Sequence, residues 1–157
     1  MVKEGLIEQL RTAHRFFRNS ASVLEEKDSG FAPGEGMMTV AQQVAHTAQS
    51  VEWFMEGGFG PGGFDLDFEK HGAETAKVRS LAEGMEWLDR AFAKAIGMVE
   101  ASSDDHLVAP LPAGPILGGA PRLAVVNAVV DHTAHHRGSI ATYTRLVGKQ
   151  PKMPYDD

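Results

Sequence analysis

The chain has 157 residues, a length that fits one domain, so we expect a single domain over residues 1–157. Its 43% hydrophobic and 23% charged content excludes wholesale disorder, and its net charge of −6 at pH 7 argues against nucleic-acid binding, which needs cationic side chains to neutralise phosphates. The absence of cysteine excludes disulfides, zinc–thiolate sites and iron–sulfur clusters, so any metal site must use His, Asp or Glu.

The first residues of the sequence carry no targeting pattern. Residues 1–17 mix charged with apolar side chains and lack the unbroken apolar run of a signal peptide. No segment is apolar over the length that is needed to cross a membrane. We therefore expect a cytoplasmic protein with no membrane partner.

Glycine and proline interrupt the sequence at three places. The 17 glycines and 8 prolines are concentrated at residues 29–36, 57–64 and 109–121, between segments with apolar periodicity. Each of the four remaining segments predicts a helix, and we find no strand pattern or internal repeat.

Different signals mark the first two predicted helices. The first has apolar or small residues spaced alternately by four and three, which is typical of a buried stripe: Leu6, Leu10, Ala13, Phe17, Ser20 and Leu24. The second begins after Thr39, a favourable N-cap, and is expected to end at the glycine pair at 57–58.

The third predicted helix has the most regular apolar pattern in the sequence. Its stripe alternates steps of three and four: Val78, Leu81, Met85, Leu88, Phe92, Ala95 and Val99. The fourth helix is expected to start near Pro121, because proline suits a first helical position, and to end at Gly148.

Four amphipathic helices of similar length predict an all-α fold, a four-helix bundle. The connection at 57–76 is long enough to carry the chain from one end of such a bundle to the other. Helices 2 and 3 are therefore expected to run parallel, which makes a crossover topology.

The fourth helix places two histidines in its buried stripe. The stripe runs Val125, Val129, His132, His136, Ser139, Tyr143, Leu146. His132 and His136 lie about 40° apart around the helix on neighbouring turns, so both imidazoles can face one point. Two unpaired imidazoles in an apolar stripe would cost several kcal/mol, on the order of 2–6, and a shared cation relieves that cost.

His46 offers a third ligand from the middle of the second helix. Four polar or aromatic residues flank the same face: Gln42, Gln49, Ser50 and Trp53. Three neutral imidazoles and one open position make a tetrahedral site that can activate water or bind an anionic ligand. We expect Ser50, Ser139 and Tyr143 to line the pocket around that position, and no general base is evident.

Other readings of these residues stay open. A pair of histidines four residues apart also occurs by chance, and His135 competes with His136 from about 60° to the other side of the helix. We expect three further histidines to be exposed to solvent: His14, His71 and His106. Arg137 is expected to point away from His132 into an ion pair or a helix-end contact. Asp131 is expected to be solvated, with a contact that orients a histidine as the alternative, and Trp53 and Trp87 are expected to be packing residues.

Two segments resemble a known family. The run DHTAHHRGSIATYTRLVG at 131–148, followed by KQPKMPYD, is similar to the terminal signature of the DinB/YfiT-like superfamily of metal-dependent proteins. The segment MTVAQQVAHTA at 38–48 resembles its other signature. The resemblance implies a four-helix bundle with a crossover, and a zinc or nickel ion held by His46, His132 and His136.

The resemblance also bears on activity and assembly. Some relatives are thiol S-transferases or isomerases that use a low-molecular-weight thiol, which implies a metal-dependent enzyme acting on small molecules, transferase or hydrolase. The alternative is a non-catalytic module whose metal joins helices 2 and 4. Ser139 departs from the family, whose members commonly have Gln there.

A homodimer is also implied by the resemblance. A second apolar strip on the third helix, made of Ala82, Ala91 and Ile96, is consistent with it. The alternative is that the long connections cover this strip with their own apolar residues: Phe59, Phe64, Leu66 and Phe68.

Overall fold

The computed structural model describes residues 2–156, and its regular elements are helices. Six α-helices follow one another in the order α1 (Val2–Ala21), α2 (Val40–Phe59), α3 (Phe68–Ala76), α4 (Leu81–Ala101), α5 (Asp104–Val108) and α6 (Ala124–Leu146). A single 3₁₀ turn at Glu26–Asp28 lies between α1 and α2. No strand occurs within the described residues, so the predicted all-α fold is confirmed.

The four long helices α1, α2, α4 and α6 form the bundle, and α2 and α4 run parallel. Gly84 at the start of α4 lies against the backbone of Ala41 at the start of α2. Near the other end, the Lys94 ammonium forms an ion pair with Glu56. Because both contacts join corresponding ends of the helices, the predicted crossover is confirmed.

The remaining neighbours in the bundle are antiparallel. The end of α2 meets the start of α6, where Gly58 packs against Val125. Likewise Lys3 at the start of α1 bonds the backbone oxygen of Glu100 at the end of α4, at 3.1 Å. It follows that α1 and α6 run in the same direction. α6 packs against both α1 and α2, so it presents one side to each of them.

α2 ends at Phe59, one residue beyond the glycine pair where its end was predicted, and side chains of other elements lie close to both glycines. A Cβ added at Gly58 would lie 2.4 Å from a methyl carbon of Val125, and one at Gly57 would lie 2.2 Å from the Phe64 ring. These glycines therefore let neighbouring residues approach the helix, instead of ending it. The start of α2 is as predicted: the Thr39 hydroxyl accepts a hydrogen bond from the backbone N–H of Gln42 at 3.2 Å.

The boundaries of the other helices shift by a few residues. α4 begins at Leu81 with Ser80 as its N-cap, later than the predicted start at Val78, which nevertheless is buried. α6 begins at Ala124, later than Pro121. Its predicted end is close, since Gly148 follows the helix with φ of 80°, a left-handed conformation that favours glycine.

The crossover holds a helix that the sequence pattern did not predict. α3 has nine residues, most of them exposed, so it lacks the apolar stripe on which the prediction depended. It is fastened to α2, because the Gln42 side chain donates to the Ala76 oxygen at 3.1 Å and the Trp53 indole donates to the Asp65 oxygen at 2.6 Å. The crossover therefore lies beside the middle of α2, next to His46.

The buried surface of α6 is wider than its predicted stripe. Leu146 was expected to be buried and is 57% exposed, whereas Ile140 and Thr144 are fully buried. Since α6 packs against two long helices, a single stripe with steps of three and four cannot describe both contacts.

The apolar strip proposed for a homodimer does not form one exposed face. Ala91 is buried in the core, Ile96 packs partly against it, and Ala82 is exposed. The strip therefore gives no support to a dimer. Among residues 2–156, none of the helices combines the length and apolar character that a membrane span requires.

Candidate metal centre

Three histidines from two helices converge inside the bundle. His46 on α2 meets His132 and His136 on α6, and one ring nitrogen from each lies within 4.8 Å of the others. The Nε2 atoms of His132 and His136 are 3.0 Å apart. The His46 ring lies 4.6 Å from the His136 ring and 5.5 Å from the His132 ring, between centroids. The predicted cluster is therefore present as a compact group.

Burial keeps these imidazoles neutral at pH 7. Desolvation first, and then charge repulsion from the neighbouring histidines, lower the pKa of His136 to about 3. Desolvation also lowers the pKa of His46 and His132. Charge repulsion from neighbouring histidines is the next cause and lowers these pKa values as well. A neutral imidazole has a nitrogen lone pair, which is the form that binds a metal.

The spacing of His132 and His136 fits a shared divalent metal. A tetrahedral zinc bound at about 2.0–2.1 Å places its nitrogen ligands roughly 3.3 Å apart. The observed 3.0 Å between two Nε2 atoms differs from that value by only a few tenths of an ångström. No Asp or Glu within residues 2–156 joins the group, so the set would supply three ligands and leave a fourth position open.

Gln43 on α2 contacts the histidine cluster, a contact that was not predicted from the sequence. Its side-chain amide, 5% exposed, contacts Nδ1 of His136. The amide nitrogen faces this ring atom, and turning the amide by 180° brings its oxygen there to accept the Nδ1 proton. The Nε2 lone pair then faces the other histidines. The available signal was spacing, because Gln43 precedes His46 by three residues and so lies on the same side of α2.

A cavity of about 290 Å³ opens beside His46 and His132. The crossover closes its far side with residues of α3, including Phe68, His71 and Thr75. Ser50, a predicted pocket residue, borders it, and the Ser50 hydroxyl lies 3.1 Å from Nε2 of His132. The cluster is therefore reached from a cavity that is large enough for a small molecule.

The other two predicted pocket residues line a second depression, which His136 also borders. Ser139 and Tyr143 border a separate depression of about 420 Å³ on the other side of His136, together with His135. The Tyr143 hydroxyl donates to the backbone oxygen of Met38 at 3.1 Å, and burial raises the pKa of Tyr143. The structure therefore places Ser50 in the cavity at His46 and His132, and Ser139 and Tyr143 in a depression at His136.

Two histidines that were expected to be exposed have partners. His14 Nε2 lies at hydrogen-bond distance, 2.7 Å, from a carboxylate oxygen of Asp89, and its ring stacks on Phe92 with 4.8 Å between centroids. The His71 side chain is 14% exposed, since the crossover folds over α2 and packs this ring against the cavity. His106 is exposed, as predicted, and so is His135.

Neither tryptophan is merely a packing residue. The Trp53 indole, whose N–H bonds the crossover, forms part of the cavity wall. The Trp87 indole donates to a carboxylate oxygen of Glu52 at 2.9 Å, which joins α4 to α2. Asp131 is exposed on α6, as expected.

A family model for the DinB superfamily matches residues 9–140. The chain belongs to the DinB superfamily. The matched part contains all three clustered histidines and the Gln43 that contacts one of them. No curated protein matches the sequence. Membership of the DinB superfamily and the three-histidine cluster both fit a metal site.

Proposed function

We propose that this DinB-superfamily protein is an enzyme that acts on a small molecule at a divalent metal held by His46, His132 and His136. Zinc and nickel are the metals we expect, and thiol S-transfer is the reaction we place first, ahead of hydrolysis. The observation that carries the proposal is the cavity beside a three-histidine set that lacks a fourth protein ligand. A site that only stabilises structure is usually closed by four ligands.

A divalent metal at this point would lower the pKa of a thiol or water in the open position and so supply a nucleophile at neutral pH. The protein provides the surroundings. Trp53, Phe54 and Phe68 form apolar walls that exclude water from part of the cavity. The Ser50 hydroxyl, 3.1 Å from a ligand nitrogen, can hold and orient a polar group of the substrate.

Gln49 supplies a second polar group for substrate. Gln49 is 8% exposed and borders the same cavity. Its side chain has no hydrogen-bond partner among the residues that the structure describes. The amide has no competing partner among those residues, so a polar group of a substrate can bond it. These features suit a small polar molecule such as a low-molecular-weight thiol.

A non-catalytic module that binds metal or ligand is the second candidate. The observation in its favour is the lack of a general base at the cavity. The Tyr143 hydroxyl is bonded to Met38 on the other side of His136, and Ser50 has no activating partner besides His132 itself. In such a module, the metal would join α2 to α6 and no substrate would turn over.

Cobalt substitution distinguishes these candidates. The cobalt-loaded protein is titrated with small thiols while its absorption spectrum is recorded, and we expect a sulfur-to-metal charge-transfer band with a change in coordination. The matched control is cobalt-loaded His135→Ala, which should respond in the same way because His135 is exposed. No response to any thiol or added anion would mean a closed site and would favour the structural module.

The assembly of the protein is a separate proposal. We expect a homodimer because of the family resemblance, since the strip on α4 gives no support. Light scattering at micromolar concentration should give about twice the mass of one 16.9 kDa chain. A mass near that of a single chain would refute the dimer.

A further inference from the structure

A second cavity lies on the opposite side of α6 from the histidines. It is a groove of about 480 Å³ between α1 and α6, larger than the cavity at the histidine cluster. Along α1 it extends from Gly5 to Phe16, which is about 16 Å at the rise of a helix. Its floor is mostly apolar, with half-buried Val130 and Ala134 contributed by α6. The histidine cluster uses none of these residues.

Thr133, which lines this groove, has a buried hydroxyl without a partner in the described part of the chain. Thr133 is 2% exposed, and its Oγ1 is the one buried side-chain oxygen or nitrogen within residues 2–156 that has no hydrogen-bond partner. By contrast, the equally buried Thr144 on the same helix donates to the Ile140 oxygen at 2.8 Å. A buried polar group in this condition costs about 1–3 kcal/mol unless something bonds it, so the hydroxyl indicates a ligand.

Positive charge is concentrated at one end of the groove. The Arg137 guanidinium lies 5.5 Å from the centre of the Phe16 ring and 5.7 Å from that of Tyr155. No carboxylate in the part of the chain that the structure describes forms an ion pair with Arg137. This end therefore suits an anionic group.

The remainder of the groove would reject an anion. The Glu8 carboxylate borders it two helical turns before Phe16, about 12 Å along α1. A negative group at that level would be repelled, whereas an uncharged chain could lie along the apolar floor. Charge at one end and an apolar floor over the rest describe an amphiphile with one anionic head.

We propose that this groove binds a long-chain monocarboxylate. The carboxylate pairs with Arg137, and the Thr133 hydroxyl, one helical turn away, bonds the same head group. The alkyl chain lies between α1 and α6 toward Gly5. Three covalent bonds advance an extended chain by about 3.4 Å, so roughly a dozen carbons fill the 16 Å of groove.

Calorimetry with decanoate tests the proposal on the full chain. We expect decanoate to bind one site with micromolar to submillimolar affinity below its micelle concentration. Uncharged 1-decanol should bind about tenfold more weakly, and decylammonium more weakly still. Failure of decanoate to bind at any concentration below its micelle point would overturn the proposal.

Substitutions in the groove test where decanoate binds. Arg137→Gln should weaken decanoate binding about tenfold, because a charged hydrogen-bonded pair is lost. Arg90→Gln, on the exposed side of α4, is the matched control and should change nothing. Ala134→Phe should abolish binding by filling the groove, with helicity and metal content measured to show that it folds. Undiminished binding by both Arg137→Gln and Ala134→Phe would place decanoate elsewhere and overturn the proposal.

A second copy of the chain is the other occupant that the test can reveal. If the groove is an interface between copies, Ala134→Phe will convert a dimer to a monomer in light scattering and the parent chain will not bind decanoate. That pair of results would also overturn the proposal. The proposal does not depend on the metal, so His136→Ala should bind decanoate as the parent does.

Discussion

The two sides of α6 bury polar groups in different ways. On the side of α2, three imidazoles lie so close together that one atom could bind them all. On the side of α1, a lone hydroxyl and a guanidinium lie one turn apart at the edge of an apolar groove. The first arrangement fits a ligand the size of an ion, and the second fits an extended molecule. Adjacent residues in sequence, such as His136 and Arg137, thus belong to separate sites.

Loss of a histidine from the α2 side should have the largest effect. His136→Ala removes one of the three nitrogens, and we expect metal affinity to fall by roughly a hundredfold or more, beyond the 10–100-fold that follows loss of an outer hydrogen bond. Elemental analysis of protein that carries no histidine tag should show about one metal per parent chain and little in the variant.

His135→Ala is the control for that experiment, because this exposed residue lies next to His136 without joining the cluster. If His135→Ala loses the metal while His136→Ala retains it, the ligand set moves by one residue and the assignment is wrong.

Acid should destabilise the metal-free protein, because the buried imidazole of His136 on the α2 side of α6 resists protonation. The pKa of His136 is about 3 in the folded chain and about 6.5 when unfolded, so below pH 6.5 the unfolded state binds more protons. Stability is therefore lost as the pH falls from 6.5 toward 3. From pH 7.5 to pH 5 we expect a loss of about 2 kcal/mol from this group alone.

Urea unfolding in the presence of a chelator measures that loss. His136→Gln should show a pH dependence that is smaller by a similar amount, because the variant has no imidazole to titrate. An equal pH dependence in both proteins would assign the effect to other groups.

The contact of Gln43 with His136 should have a smaller effect on metal binding. Gln43→Leu keeps the volume of the side chain but removes the amide that orients the ring. We expect metal affinity to fall about tenfold, at the lower end of the range for such outer contacts. Isothermal titration with zinc measures it, and Gln42→Leu, whose side chain bonds α3 instead, is the control. Equal affinities would show that Gln43 only packs.

The smallest effect is expected on the side of α1. Thr133→Val removes the unpartnered hydroxyl and keeps the shape of the side chain, so the ligand-free protein should be stabilised by about 1 kcal/mol. Thr144→Val, which removes a satisfied hydroxyl, should be neutral or destabilising by contrast. If Thr133→Val destabilises the protein in urea unfolding, its hydroxyl has a partner in solution.

Local patterns were sufficient to predict the bundle. Thr39 marks the start of α2 and Gly148 follows α6, because capping and left-handed turns depend on single residues. The convergence of His132 and His136 followed from helical spacing alone. His46 could be placed on the correct side of α2, but its distance from the other two depended on how the helices pack.

Features that depend on contacts between distant residues were missed. Gly57 and Gly58 looked like a helix end, and only their proximity to Phe64 and Val125 shows why they lie inside one. α3 lacks an apolar stripe, since it covers α2 with few buried residues. Tyr143 shares the predicted stripe of His136, yet its hydroxyl bonds Met38 from a preceding loop.

The position of α6 in the sequence sets the order in which the molecule can assemble. Contacts between α2 and α6 join residues that are far apart in sequence: Ser50 and His132 are separated by 82 residue numbers, and Gln43 and His136 by 93. Such contacts carry the entropy of closing long loops and slow folding. During synthesis, a chain that stops before residue 124 exposes the apolar sides of three long helices and holds one of the three clustered histidines.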